Sequence, residues 1–399
     1  MKKIFKILII VFILISLCGC QNYSEINNYA IVSGISIDKG KNNPNNYIVG
    51  IQIMNAKKDE ESDNSLITFY KAEGNTIFEA LQKIMLDSPK ELYLGHNEVI
   101  VISEELLKEK NPLNYLDYFM RDSKVEKDSM VMASKGTKAY EILKIITPLE
   151  TIPSRNLKST LSVADNFSGT LTIVTVDEFI SDLAASGSDA IIPTVSITGK
   201  IKDGENMENI KESDPDAKLK FDTLAFFEKN KLKDYLSSDE STGYNFLTNT
   251  PNQTYVNVKC DDNNYASLMV ISSKLKEEVT FKDNKPTINI KTNIEADLLE
   301  YNCKADFIKS EKYIKRLEKK ASNKVEKLME KAIDKLYFQN KSDALKYGSR
   351  FYEQEYKKTK KLGYDKNNII NDISFTFKAD VKIESTELSI RSVKENKDE

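Results

Sequence analysis

Gly95-His96-Asn97-Glu98-Val99-Ile100-Val101-Ile102-Ser103-Glu104-Glu105-Leu106 runs from a polar opening through an unbroken apolar stretch. Val99–Ile102 is β-branched throughout, the pattern of a strand buried on both faces. Ser103 then caps a short helix, and Glu105 sits in its first turn, where negative charge is favoured. Upstream, Tyr29–Asp38 and Tyr47–Met54 alternate apolar with small or polar residues across an Asn-rich turn at Lys41–Asn46. They read as a hairpin. A charged loop at Lys57–Ser65, a strand at Leu66–Ala72 and a helix at Thr76–Asp87 follow. Ile77, Ala80, Leu81, Ile84 and Met85 share one face of that helix.

Downstream, helices are expected at Leu113–Phe119, Lys138–Ile146, Asn156–Asn166 and Glu178–Ala185. Strands are expected at Ser129–Ala133, Leu171–Val176 and Ile191–Ile197. Lys200–Asp216 turns polar and charged and reads as a linker or long loop. Lys220–Phe227 is a strand and Tyr235–Leu247 helical or turned. Tyr255–Lys259, Ala266–Ser272, Glu278–Phe281 and Thr287–Leu298 form a run of strands at short intervals, which favours an antiparallel sheet. From about Asp306 to Leu336 an apolar stripe (Ile314, Leu317, Ala321, Val325, Leu328, Ala332, Leu336) marks a long helix. Ten Lys or Arg and six Asp or Glu surround it, read as a solvated face, with Glu311–Lys315 one favourable i,i+4 pair. A helix at Ser342–Lys361 and an alternating strand at Ile373–Leu388 close the chain. Strands and helices mix without regular alternation, so the expected class is α+β, multi-domain, with mixed or antiparallel sheets flanked by helices and long C-terminal helices. Length suggests two or three domains. The expected division is a leader at 1–19, an N-terminal α+β domain at 20–200, a linker at 201–217, a small middle domain at 218–275, a C-terminal α+β domain at 276–393 and a frayed tail at 394–399.

The leader carries a basic start (Lys2, Lys3, Lys6) and an apolar run, Ile7–Leu17, too short to span a bilayer comfortably. Leu17-Cys18-Gly19-Cys20 follows and resembles a bacterial lipobox, whose cysteine takes a diacylglyceryl and an acyl group such as palmitate and becomes the first residue; the alternatives are a plain signal peptide with an incidental cysteine or an N-terminal membrane anchor. No other stretch approaches a membrane span. The whole chain has formal charge −3, and losing three leader lysines moves the mature balance to −6. An acidic body is not drawn to an anionic bilayer, so attachment falls to the lipid, and two acyl chains hold a protein stably. Net acidity also argues against nucleic acid as a partner.

Once Cys18 leaves and Cys20 is lipidated, Cys260 and Cys303 remain. Outside the cytoplasm they can pair, or they can sit as two separate buried thiols. His96 is the single histidine, which removes most zinc sites. No nucleophile elbow stands ready to use it as a catalytic base, so its expected role is structural, capping a strand or satisfying a buried hydrogen bond. Arg121-Asp122 suits carboxylate or partner recognition, or more simply an intramolecular ion pair at a helix end. The sequence contains no Walker loop, GxGxxG, CxxC or metal triad.

An ordered set of segments resembles the C-subunits of spore germinant receptors, the Ger(x)C lipoproteins. After the lipobox come Glu25-Ile26, Gly34-Ile35-Ser36-Ile37-Asp38, Gln52, Gly74 and Glu79-Ala80. Leu94–Leu106, Leu116–Asp122, Ala133–Gly136 and Glu141-Ile142-Leu143 follow. The second half adds Leu224-Ala225-Phe226-Phe227, Lys231-Leu232, Leu236 and Glu240–Gly243, then Gln339, Lys341, Asp343, Ala344, Leu345 and Gly348. Two departures stand out: Cys20-Gln21-Asn22 replaces the family's Cys-Trp-Asp, and the chain has no tryptophan. The resemblance implies three small α+β domains and a lipoprotein on the outer face of the inner spore membrane. It implies integral-membrane A and B subunits as partners in a nutrient-sensing receptor, and no enzymatic activity or cofactor. The alternative is an extracytoplasmic solute-binding lipoprotein, which would favour two α/β lobes around a ligand cleft.

Overall fold

The computed structural model describes residues 4–5, 28–55, 66–122, 124–248, 254–260, 264–303 and 311–385. Cys20, most of the leader and the tail at 394–399 lie outside the described residues. Tyr29–Lys39 (β1) and Tyr47–Met54 (β2) form the expected hairpin. The small and polar alternates of β1 do not face water. Gly34, Ser36 and Asp38 are buried as completely as Ile35 and Ile37, because the strand is covered on both sides. A bulge between Val32 and Gly34 shifts the register. It lets Val32 join Ile35 and Ile37 in one core despite their opposite parity.

β1 lies inside a nine-stranded sheet. Its order is β3 (Ile67–Gly74), β2, β1, β5 (Val99–Ser103), β6 (Met130–Ser134), β7 (Ile191–Gly199), β8 (Ala217–Glu228) and β9 (Lys231–Tyr235), with β4 (Glu91–Tyr93) on the outer part of β1. β1, β5, β6 and β7 run parallel, and antiparallel hairpins flank them on both sides. One face packs on α1 (Ile77–Asp87), α2 (Glu104–Glu109), α3 (Leu113–Arg121) and α6 (Val176–Ala184). The other packs on α4 (Ala139–Ile142) and α5 (Pro153–Phe167), and its core continues without a break into the second half of the chain. Thr76 caps α1 through Glu79 N. Ser103 stands at the N-cap of α2 without a capping hydrogen bond from its side chain.

Residues 201–217 are the long loop of the two expected readings and not a linker between domains. They hold α7 (Ile201–Gly204) and α8 (Glu208–Lys211). Asn209 fixes them, donating to the carbonyls of Ile146 at 2.7 Å and Ala217 at 3.0 Å and accepting from Ala217 N at 3.1 Å. Nor does 218–275 form its own unit. β8 and β9 complete the first sheet, so the polar stretch before them is a long connection between paired strands. Leu171–Val176 is not a strand; only Thr175 bridges to Met130. Its neighbourhood is pinned by side chains, with Asn245 donating to the carbonyls of Gly169 and Leu171 and Asp165 accepting from Ile173 N.

After α9 (Ser238–Thr248) comes a second sheet, ordered β10 (Tyr255–Lys259), β11 (Tyr265–Lys282), β12 (Lys285–Tyr301) and β13 (Ser374–Ser385). The separate strands expected at 266–272 and 278–281 are one bulged strand, folded back through a two-residue turn at Asp283 and Asn284, both at positive φ. β13 pairs with β12 in parallel, so this sheet is mixed and not purely antiparallel. α10 (Glu311–Ile333) buries the expected stripe from Leu317 onward, leaving Ile314 half-buried, and widens to π-helical geometry over Asp334–Gln339. The last helical region is broken into α11 (Tyr347–Gln354) and α12 (Tyr356–Lys361). It starts later than expected, because Lys346 takes a left-handed conformation.

Candidate functional site

The sequence motif at Gly95-His96 is a turn leading into β5. His96 is exposed and Asn97 is buried, so the expected structural role passes to the neighbour. Asn97 Nδ2 donates to Ser129 Oγ at 3.0 Å, and Ser129 Oγ donates to the Asn97 carbonyl at 2.7 Å, locking the approaches to β5 and β6 together. A Cβ on Gly95 would sit 2.8 Å from the Tyr93 hydroxyl and 3.0 Å from the Lys124 carbonyl, so a side chain here would displace the Tyr93 ring and crowd the turn.

Arg121 does not pair with Asp122. It pairs one turn back with Asp117 on the exposed side of α3. Asp122 ends that helix, accepting from the Tyr118 hydroxyl at 2.8 Å and from Lys124 N at 2.9 Å. Cys260 and Cys303 are joined by a disulfide, with Cα atoms 6.0 Å apart. It ties the end of β10 to the segment after β12, across the start of β11. Lys320 of α10 donates to the carbonyls of Lys259 and Cys260. Among the described residues no group of His, Cys, Asp and Glu is placed to hold a metal ion.

Other residues of the ordered set meet where the two halves of the molecule join. Asp343 N donates to Asp189 Oδ2 at 2.8 Å, and Asp189 N donates to the Asp343 carbonyl at 3.1 Å. The other Asp189 oxygen accepts from Lys229 N. The Asp343 carboxylate accepts from Tyr347 N and Gly348 N, each at 2.8 Å, and from the Tyr337 hydroxyl. Around this centre Ser342 donates to the Phe227 carbonyl, Ser349 to the Ser186 carbonyl and Gly187 N to Asn367, while Lys346 pairs with Asp182. A Cβ on Gly348 would overlap the Lys366 carbonyl at 1.9 Å. Asp343 and Gly348 were legible in the sequence, but Asp189 was not. It stands alone in an ordinary turn, Gly187-Ser188-Asp189, before β7.

Burial raises the Asp343 carboxyl to about 6, against three donors that favour its ionised form, and the neighbouring Asp189 adds to the rise. Burial also raises Asp189. Asp38 is similar. Burial lifts it to about 6 although it accepts from Ala139 N at 2.8 Å and Tyr140 N at 3.0 Å at the start of α4. Asp343 and Asp38 hold backbone amides at the starts of α11 and α4, which have no intrahelical partner, and Asp189 holds Asp343 N and the Lys229 N of the β8–β9 turn. Their hydrogen-bonding capacity is spent on the fold, and the arrangement is a joint between sheets.

Two family models match the chain: "Spore germination protein N-terminal domain" over residues 22–197 and "Spore germination B3/GerAC like, C-terminal" over residues 222–387. The gap between them falls in the connection from β7 to β8. The chain is 30% identical to spore germination protein KC of Bacillus subtilis (strain 168), across 98% of each chain. It is 25% identical to spore germination protein B3 of the same organism, over 86% of this chain and 87% of that one. Its fold matches the crystal structure of the GerBC protein with a TM-score of 0.56 at 19% identity, covering 88% of this chain and 97% of that one. With the ordered motifs, the joint that gathers several of them, and near end-to-end similarity all agreeing, the chain belongs to the GerAC-like spore germination family, the Ger(x)C proteins.

Proposed function

We propose that this chain is a non-enzymatic lipoprotein subunit of a nutrient germinant receptor. It is held on the outer face of the inner spore membrane by lipid on Cys20, and it acts through contacts with integral-membrane A and B subunits. The observation that carries this reading is the 30% identity across 98% of both chains to a protein named for spore germination. Three further observations support it. The lipobox precedes the first family match at residue 22. No helix among the described residues is long and apolar enough to cross a membrane. The conspicuous buried carboxylates hold backbone amides in place. A solute-binding protein would keep a cleft between two lobes. Here one apolar cluster runs from Val99 and Val101 of the first sheet to Ile294 and Val381 of the second, filling the space between them.

The test is Cys20→Ala expressed in spores. The variant is expected to leave the membrane fraction and to slow nutrient-triggered germination, while wild type co-purifies with membrane subunits after crosslinking. A variant that still sediments with membrane would overturn the lipid anchor. Normal germination of a deletion strain on every nutrient would overturn the receptor role.

A further inference from the structure

Cys20 and Asn28 are eight residues apart. However those residues are arranged, a chain of that length reaches at most about 28 Å. A lipid on Cys20 therefore holds Asn28 within that distance of the bilayer. The ten steps from Tyr29 to Lys39 along β1 cover about 33 Å at ~3.3 Å per residue. The two ends of the first sheet are thus not equivalent, and the tether selects the one where β1 begins.

That edge has a definite make-up. β4 lies beside the start of β1, with Ile31 opposite Tyr93 and the Tyr29 and Tyr93 rings 5.7 Å apart. α1 starts just after Gly74, which pairs with Tyr47 at the far edge, and runs back toward Asn28. At its end Met85, Ser88 and Pro89 line a recess together with Asn28. α3 makes the same return journey. Lys110, just before it, bonds the Asn45 carbonyl at the far edge, and α3 ends at Arg121, close to the Gly95 turn that meets Lys124. Leu86 is 86% exposed and Tyr93 42% exposed; the Arg121 side chain is 78% exposed, and His96 is open to solvent.

We propose that this edge lies against the phospholipid headgroups. Leu86 and Tyr93 enter the interfacial layer, and His96 and Arg121 lie alongside it. The inference rests on the lipid-anchor reading above and adds an orientation to it. Charges here are mixed, with Lys90, Lys124 and Arg121 set against Asp87, Glu91 and Asp117. Net attraction therefore does not hold the edge down. The tether supplies proximity, and an exposed leucine and amphipathic tyrosine rings at one edge suit the boundary between water and acyl chains. A protein domain in the same place would have to fit into a gap of at most about 28 Å.

The absence of tryptophan makes the test clean, because a single introduced tryptophan reports alone. Lipidated full-length Leu86→Trp is compared with Asn42→Trp, whose site is the exposed β1–β2 turn at the far edge. Each is reconstituted on phosphatidylglycerol–phosphatidylethanolamine vesicles containing brominated acyl chains. The Leu86→Trp protein is expected to show blue-shifted emission and roughly twofold or greater quenching, with little change for Asn42→Trp. Vesicle-bound protein in which neither site, or only the Asn42 site, is quenched would overturn the orientation and leave the anchor intact. So would a Leu86 site that becomes shielded only when receptor subunits are added. Lipidated protein that fails to bind vesicles would overturn the anchor and this inference together.

Discussion

The Asp343 carboxylate accepts three hydrogen bonds in a buried site, yet its pKa stands at about 6 against an ordinary 3.8. A raised carboxyl binds its proton more tightly in the native state than in the unfolded chain. Its contribution to stability is therefore fully present below about pH 4 and is lost as pH rises to about 6, a change of about 3 kcal/mol. Asp343→Asn does not titrate, but its amide group turns a donor toward a backbone donor, which costs about 1–3 kcal/mol. The variant's deficit relative to wild type is expected to be largest near pH 4 and to shrink by about 2–3 kcal/mol by pH 7. Urea midpoints at both values measure this, and a deficit that does not change with pH would contradict the raised carboxyl. At this scale the sequence showed which positions stood out but not what they touch. Asp343 depends on Asp189, 154 residues away, and no local pattern encodes that pairing. His96 drew notice because it is unique, while the packing work falls to Asn97, an ordinary asparagine in composition.

α10 is held by both edges of the second sheet. On one side Lys320 reaches the carbonyls that end β10. On the other, Glu318, Ser322 and Glu326 accept from Ile383, Val381 and Ala379 N, at 3.0, 3.0 and 2.9 Å. The match is geometric. Four residues of helix rise about 6.0 Å and two residues of strand about 6.6 Å, so three successive acceptors meet three successive outward amides. Glu326→Ala is expected to speed hydrogen exchange of the Ala379 amide about fivefold or more, with a smaller change at Ile383. Residue-resolved exchange checks it, and equal acceleration at all three amides would point to loosening of the whole strand. The helix was readable from its apolar stripe because that stripe is local. Its polar side read as solvated, since sequence spacing alone does not show that Glu318, Ser322 and Glu326 face a strand more than fifty residues downstream. Gly243 of α9 has the same hidden dependence, because an added Cβ would strike the Leu328 carbonyl where the two helices cross.

For the whole molecule, the class was legible; the break expected at 201–217 falls in the gap between the two family matches, but the strands on either side of it pair. Periodicities of two and of three to four residues along the chain identified most strands and helices, and hence mixed sheets flanked by helices. The polar stretch near 201–217 looked like a boundary because composition records exposure, whereas Asn209 and the β7–β8 pairing bind it into the first sheet. The Cys260–Cys303 disulfide acts at this largest scale, on the unfolded ensemble. The cysteines are 43 positions apart, and closing a loop of that size stabilises by about 4 kcal/mol on the chain-entropy account. Denaturation with and without reductant is expected to differ by that amount, and coincident curves would show that the sulfurs are not bonded in solution.

The position of β13 also bears on synthesis. Ribosomes deliver the chain from its N-terminus, so the β11–β12 hairpin is complete while the strand that will lie beside β12 is still unmade. Until residues 374–385 arrive, one side of a long hairpin offers unpaired amides and carbonyls to any neighbouring nascent chain. A stop codon early enough to remove residues 374–385 would thus yield a self-associating polypeptide, and not a slightly shorter working copy.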